Sequence, residues 1–357
     1  LPPNMINYSA LLLALSFNII LNIATIKFWA DFSFVQRYEN NYEGIQKIHT
    51  KIIPRLGGLN SYLSLLAYIF ISGISVNLLL TTLMISAIPL VFYATKEDIT
   101  HKVAPYIRIF SIFIASLIFF LLYNNYNFPI IDISVLGDII NIYFVGLSFF
   151  IFALISISNG TNIIDGANGL SSMTVLFQLL SLLFLSYKVS DFLLFDNLLI
   201  LISFIILFLI FNFPLGKIFL GDCGAYLWGW LSGMLVILFY GRHPELSTWG
   251  AILILIYPII ETIFSTIRKK FYDNISPLIP DPNHLHLKVF FALEKFSLEN
   301  KLKISPINMV TLALLIIWSS PLYLIPFVYH SPFLIFLSIM YVCSLYFIIY
   351  TLLPRKK

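Results

Sequence analysis

Long apolar runs recur along the chain, separated by polar segments, and within each run the apolar residues are continuous rather than alternating. A continuous run of about 17–25 residues matches the ~30 Å hydrocarbon core of a bilayer when coiled as a helix. A membrane barrel would instead alternate apolar and polar positions. Lipid permits only these two solutions, because backbone N–H and C=O groups must be satisfied inside the chain. The pattern therefore predicts an all-α, polytopic integral membrane protein. About eleven transmembrane helices are expected, near 6–27, 56–75, 77–95, 105–123, 140–158, 169–187, 192–211, 224–240, 247–267, 306–328 and 332–353. The first run lacks the basic stretch that precedes a cleaved signal and reads as a retained span. The outer segment 124–139 mixes polar and apolar residues and suits a hairpin or an interfacial element.

Composition and charge sharpen this picture. Charged residues make up 11% of the chain and hydrophobic residues 59%, whereas soluble domains carry about a quarter charged residues. With the N-terminus outside and the C-terminus in the cytoplasm, all but Lys188 and Arg242 of the 21 Lys and Arg fall on inner segments. That bias supports both the span count and the orientation. The net charge of +4 is spread beside the spans, not gathered in a block, so nucleic acid is not an expected partner. Two cysteines, Cys223 and Cys343, provide no disulfide framework. The inner segments, about 28–55, 96–104, 159–168, 212–223 and 268–305, belong to one transmembrane domain covering 1–357.

Candidate chemistry gathers on those inner segments. Glu97 and Asp98 lie in the second, Asp165 in the third, Asp222 in the fourth, and His284 and His286 in the fifth. Carboxylates in such a protein are costly unless paired, hydrated or bound to a metal. Oxygen-rich groups on one face suit a hard divalent cation and a phosphate-bearing ligand. Each stretch also has a plainer reading. Asn159 to Gly169 is either a flexible connection with glycine caps or one wall of a site, with Asn162 and Asp165 one helical turn apart. Glu97-Asp98 is a solvated pair balanced by Lys96 and Lys102, or two acids with different tasks. Asp222 is an N-cap, or an acid at a phosphate mouth beside Lys217. Prolines 277, 280 and 282 suggest an extended loop in which His284 and His286 point the same way, either as structural histidines or as a pair able to reach a phosphate. Glu261, the one acid inside its apolar run, shares a helical face with Arg268 and reads as its buried partner.

Taken together and in order, these segments resemble the polyprenyl-phosphate N-acetylhexosamine-1-phosphate transferase family. Lys47-Ile48-His49-Thr50 with Pro54-Arg55-Leu56-Gly57-Gly58 is similar to its first inner loop, and Glu97-Asp98 falls where the family usually has Asp-Asp. Asn162 to Leu170 is similar to its Asn-x-x-Asp-Gly-x-x-Gly-Leu segment, Phe219 to Gly224 to its Gly-Asp loop, and Ser276 to His286 to its histidine loop. Three departures stand out. Glu97 replaces the first aspartate, Asn168 stands where some members carry a second one, and His284-Leu285-His286 is shorter than the triple-histidine run of the muramyl-pentapeptide branch. The pattern is closer to the branch that primes O-antigen, teichoic-acid or capsule-type glycans.

The resemblance implies an enzyme that transfers an amino-sugar-1-phosphate from a UDP-sugar to undecaprenyl phosphate and releases UMP. It implies a bacterial plasma-membrane location with the site on the cytoplasmic face, and a homodimer by analogy alone. Magnesium, or manganese in its place, would be held mainly by Asp222 with help from Asp165. Glu97, Asp98, Asp165 and Asp222 are the expected catalytic set. Lys47, Arg55, Asn162, Asn168, Lys217, His284 and His286, and more weakly Arg268, are expected to contact substrate. The rival reading is a secondary transporter or lipid flippase, which would place its ionisable groups near the bilayer midplane.

Overall fold

The computed structural model describes residues 6–29, 53–74, 77–131, 133–276, 281–300 and 305–354. Lys47 and most of the first inner segment lie outside the described residues. The described residues contain helices and no strand: α1 (Tyr8–Phe28), α2 (Gly57–Ser72), α3 (Leu78–Ser86), α4 (Ile88–Thr100), α5 (Pro105–Leu122), α6 (Ser134–Ile140), α7 (Tyr143–Ile163), α8 (Leu170–Lys188) and α9 (Phe192–Asn212). They continue with α10 (Gly221–Arg242), α11 (Trp249–Ile254), α12 (Ile256–Ile267), a π-helical turn (Arg268–Tyr272), α13 (Leu285–Asn300), α14 (Pro306–Ala313), α15 (Leu315–Trp318), α16 (Ser320–Val328) and α17 (Pro332–Leu352).

Among the described residues, seven helices are long and apolar enough to cross a membrane, or nine if each of two bent pairs is one span. The other two predicted spans are present as helix but fall outside that criterion. The run at 56–75 becomes α2, of 16 residues. The run at 247–267 is broken at Leu255 into α11 and α12. Pro258 explains this break, since its ring excludes the carbonyl four residues earlier and it has no N–H to donate. The run at 77–95 bends by 47° between α3 and α4, where Pro89 opens the second helix. Within the outer segment 124–139 the residues from Ser134 on form the short helix α6.

Helix α10 is the axis of the bundle. Every residue from Gly221 to Gly241 is buried, including Trp228 and Trp230. A helix that is apolar all round belongs inside, surrounded by other helices. It packs against α2, α4, α7 and α8. Its contact with α2 is backbone to backbone, because a Cβ on Gly58 would stand 2.1 Å from the Cα of Gly224. Gly57 and Gly58 donate their N–H groups to the carbonyls of Phe219 and Leu220, and Phe219 donates to Pro54. This strip holds Arg55 beside the start of α10. A buried polar ladder of Asn18, Asn22, Asn60 and Ser64 ties α2 to α1, the kind of side-chain hydrogen bonding that joins helices where water is excluded.

Candidate active site

The N-terminus of α10 gathers side chains from four other elements. Asp222 lies in the first turn of the helix, where the exposed N–H groups and the helix dipole favour a negative charge. Its Oδ2 accepts a hydrogen bond from Arg108 on α5. Its Oδ1 accepts one from Asn162 on α7 at 3.2 Å and lies 3.6 Å from Arg55. Arg108 is also 3.9 Å from Glu97, and Arg55 is 3.7 Å from Asp98. One carboxylate is thus ringed by two guanidinium groups and an amide, at one end of the bundle.

Asp98 is almost fully buried, and both of its oxygens accept backbone N–H groups, from Asp222 at 2.8 Å and Cys223 at 2.9 Å. The sequence offers Asp98 as an acid facing substrate. In the fold its carboxylate caps a helix from another part of the chain, satisfying N–H groups that have no partner within that helix. Glu97 does something different, accepting the Val103 N–H at 2.7 Å with Oε2 and turning Oε1 towards Arg108. Both acids lie in the last turn of α4, not in a loop.

Asn162 also proves helical, because α7 runs on to Ile163. The loop proper is therefore 164–169. Asp165 heads it, and burial pushes its carboxyl up to about 7, with Arg55 drawing it down and Asp222 raising it further. Asn168 faces away from this cluster. Its amide donates to Asn308 and its backbone carbonyl accepts from Thr311, so the loop is pinned to α14. Lys217 is exposed on the turn between α9 and α10.

The histidine loop forms a second cluster. Leu285 begins α13, so His286 is helical, and Pro277 and Pro280 of the predicted extended loop lie outside the described residues. The two imidazoles are still parallel, stacked at 5.8 Å and 6°, and both are buried. His284 Nδ1 is 2.8 Å from Glu261 Oε1, and the Tyr346 hydroxyl of α17 donates to Glu261 Oε2 at 2.9 Å. Glu261 is therefore the partner of His284 and Tyr346, not of Arg268. Arg268 opens the π-helical turn, and its guanidinium reaches forward along the chain. It bonds Asp273 and Asp281 instead. Burial pushes the Asp281 carboxyl up, but the Asn283 N–H and Arg268 outweigh it and hold the group below the usual range. Burial, and then His284, push His286 down to about 4, which leaves it neutral near pH 7.

Arg108, Asp281 and Tyr346 take no part in the sequence-based site. Arg108 carried a usable signal, since a cation in the first turn of a helix opposes the dipole and needs a compensating acid. Among the described residues, no cluster of three or more His, Cys, Asp or Glu side chains has the geometry to hold a metal alone. Magnesium is ordinarily held by one or two carboxylates together with substrate phosphates and water. Asp222, with Asn162 and Asp165 beside it, fits that mode of binding.

Residues 80–240 match the model of glycosyl transferase family 4. The match takes in Glu97, Asp98, Arg108, Asn162, Asp165 and Asp222. The chain is 24% identical over 304 residues to the Bacillus subtilis (strain 168) protein named "Probable undecaprenyl-phosphate N-acetylglucosaminyl 1-phosphate transferase", covering 83% of this chain and 80% of that one. It is 28% identical over 229 residues to the phospho-N-acetylmuramoyl-pentapeptide-transferase of Streptococcus sanguinis (strain SK36), covering 58% and 65%. It is 31% identical over 153 residues to the enzyme of the same name from Streptococcus pneumoniae (strain ATCC BAA-255 / R6), covering 42% and 43%. With its acids and arginines drawn from separate helices onto the start of a buried central one, the chain is a membrane-embedded protein that is similar to glycosyl transferase family 4 over residues 80–240.

Proposed function

We propose that the protein transfers an N-acetylhexosamine-1-phosphate, or a related amino-sugar-1-phosphate, from its UDP-sugar to undecaprenyl phosphate. UMP is released, and the lipid-linked product starts a cell-surface glycan of the O-antigen, teichoic-acid or capsule type. The observation that carries this reading is the Asp222 centre, where Arg55, Arg108 and Asn162 converge on one carboxylate at a helix N-terminus. The similarity to the Bacillus subtilis protein over most of both chains supports the polyprenyl acceptor and the GlcNAc-type donor.

In the reaction, an oxygen of the lipid phosphate attacks the phosphorus that bears the sugar. The bond from that phosphorus to the bridging oxygen breaks, and UMP leaves with the bonding pair. The lipid phosphate is already largely ionised at neutral pH, so positioning contributes more than proton removal. Arg55 and Arg108 present N–H donors suited to diphosphate oxygens. Asn162 and Asp165 line the nucleotide side. Glu97, whose Oε1 is turned into the site, orients the incoming phosphate through Arg108. Asp98 positions α10. Magnesium bound at Asp222 and Asp165 would supply charge neutralisation at the diphosphate. On the expected eleven-span topology with the N-terminus outside, this end of the bundle faces the cytoplasm, where UDP-sugars are found. Lys188 and Arg242, the two predicted outer cations, close the opposite ends of α8 and α10.

Arg108→Ala is expected to raise the KM for the UDP-sugar about tenfold, the equivalent of one charge-assisted hydrogen bond. Arg108→Lys should not restore it, since a lysine lacks the planar fork. Steady-state UMP release measures both, and an unchanged KM in Arg108→Ala would remove Arg108 from the donor site.

A further inference from the structure

The Asp165 loop is held from behind by the histidine loop. A Cβ on Gly166 would stand 2.2 Å from His286 Nε2 and 2.4 Å from its Cδ2, so the imidazole edge fills the space a side chain would take. The three nearest atoms to that Cβ all belong to His286. The ring is buried, and its Nδ1 has no hydrogen-bond partner, so shape and stacking hold it in place. The stacking partner is His284, which Glu261 fixes on one side while Tyr346 fixes Glu261 on the other. A continuous line of contact therefore runs from α17 through α12 and α13 to the residue next to Asp165.

We infer that His286 is a positioning residue, which sets where Gly166 and Asp165 stand and is itself anchored through His284 to Glu261 and Tyr346. The histidine pair then acts on the reaction through the Asp165 loop, and not by touching a substrate phosphate. Its activity readout rests on the transferase reading, whereas its stability readout does not.

The test is a double-mutant cycle on the full-length protein in detergent, read by thermal midpoint and by sugar-phosphate transfer. Gly166→Ala forces the ring and loop apart and is expected to lower kcat/KM about 30-fold, the scale of overpacking a close-packed contact. In a His286→Ala background the new methyl enters vacated space, and the further loss should shrink to about threefold or less. The midpoint should show the same recovery. His286→Leu refills the space without donating or titrating, and is expected to regain about tenfold over His286→Ala with the wild-type pH profile. Equal losses from Gly166→Ala in both backgrounds, or a His286→Leu protein as impaired as His286→Ala, would overturn the inference. If the wild-type protein transfers no sugar phosphate, the transferase reading fails and the midpoint cycle still decides this one.

Discussion

Asp222→Asn is expected to lower sugar-phosphate transfer by about 10³-fold or more, with the protein still folded. The substitution keeps the shape of the side chain and removes the charge that Arg55 and Arg108 face. It also places an amide N–H group where one of two guanidinium groups donates. The remaining cations would repel each other, and the carboxylate that fits magnesium would be gone. Because Asp222 sits at the dipole end of α10, its charge also contributes to the helix start, so a fall of a few degrees in thermal midpoint is expected alongside. UMP release measured against divalent-cation concentration separates the two effects. Wild-type transfer by the Asp222→Asn protein would remove Asp222 from the reaction.

Asp98→Asn should be the next most damaging change, lowering transfer about 10²-fold. Both Asp98 oxygens receive backbone N–H groups from the first turn of α10. An amide can accept only one of them and points its own N–H at the other. Leaving a buried donor unsatisfied costs about 1–3 kcal/mol, and 2.7 kcal/mol is a factor of ~10² in rate. The defect acts through the placement of Asp222. The residual activity should therefore keep the wild-type pH profile while the midpoint falls. A folded Asp98→Asn protein with an unchanged midpoint and a lost pH limb would instead make Asp98 a proton acceptor.

The helices were legible in the sequence because their apolar runs are long and continuous, and lipid leaves such runs little choice. Their breaks were less so. Pro89 and Pro258 each interrupt a run, yet a proline inside an apolar stretch does not say whether the helix bends or stops. Asn159 to Ile163 read as loop because Asn, Gly and Thr are poor helix formers. Packing overrides that preference, with Gly160 set against the Pro258 carbonyl and Thr161 against Gly229.

The polar residues of the site were mostly visible as residue types, but their partners were not. Asp98 and Asp222 are 124 positions apart and Arg108 and Asp222 are 114 apart. Nothing local signals that one acid caps the helix bearing the other. Asn168 illustrates the same limit, since its departure from some relatives invites a role at the substrate while its amide is committed to Asn308 on α14. Glu261 shows it too, because a shared helical face does not fix a partner: His284 and Tyr346, 23 and 85 positions away, take Glu261, while Arg268 turns to Asp273 and Asp281.

Sugar-phosphate transfer to a polyprenyl phosphate is measured most directly by an assay of the purified protein. It is incubated with undecaprenyl phosphate, magnesium and labelled UDP-N-acetylhexosamines. The expected result is UMP release matched by a labelled lipid, abolished when the lipid phosphate is omitted. The absence of both products with every UDP-amino sugar tried would contradict the claim and favour a transporter or flippase.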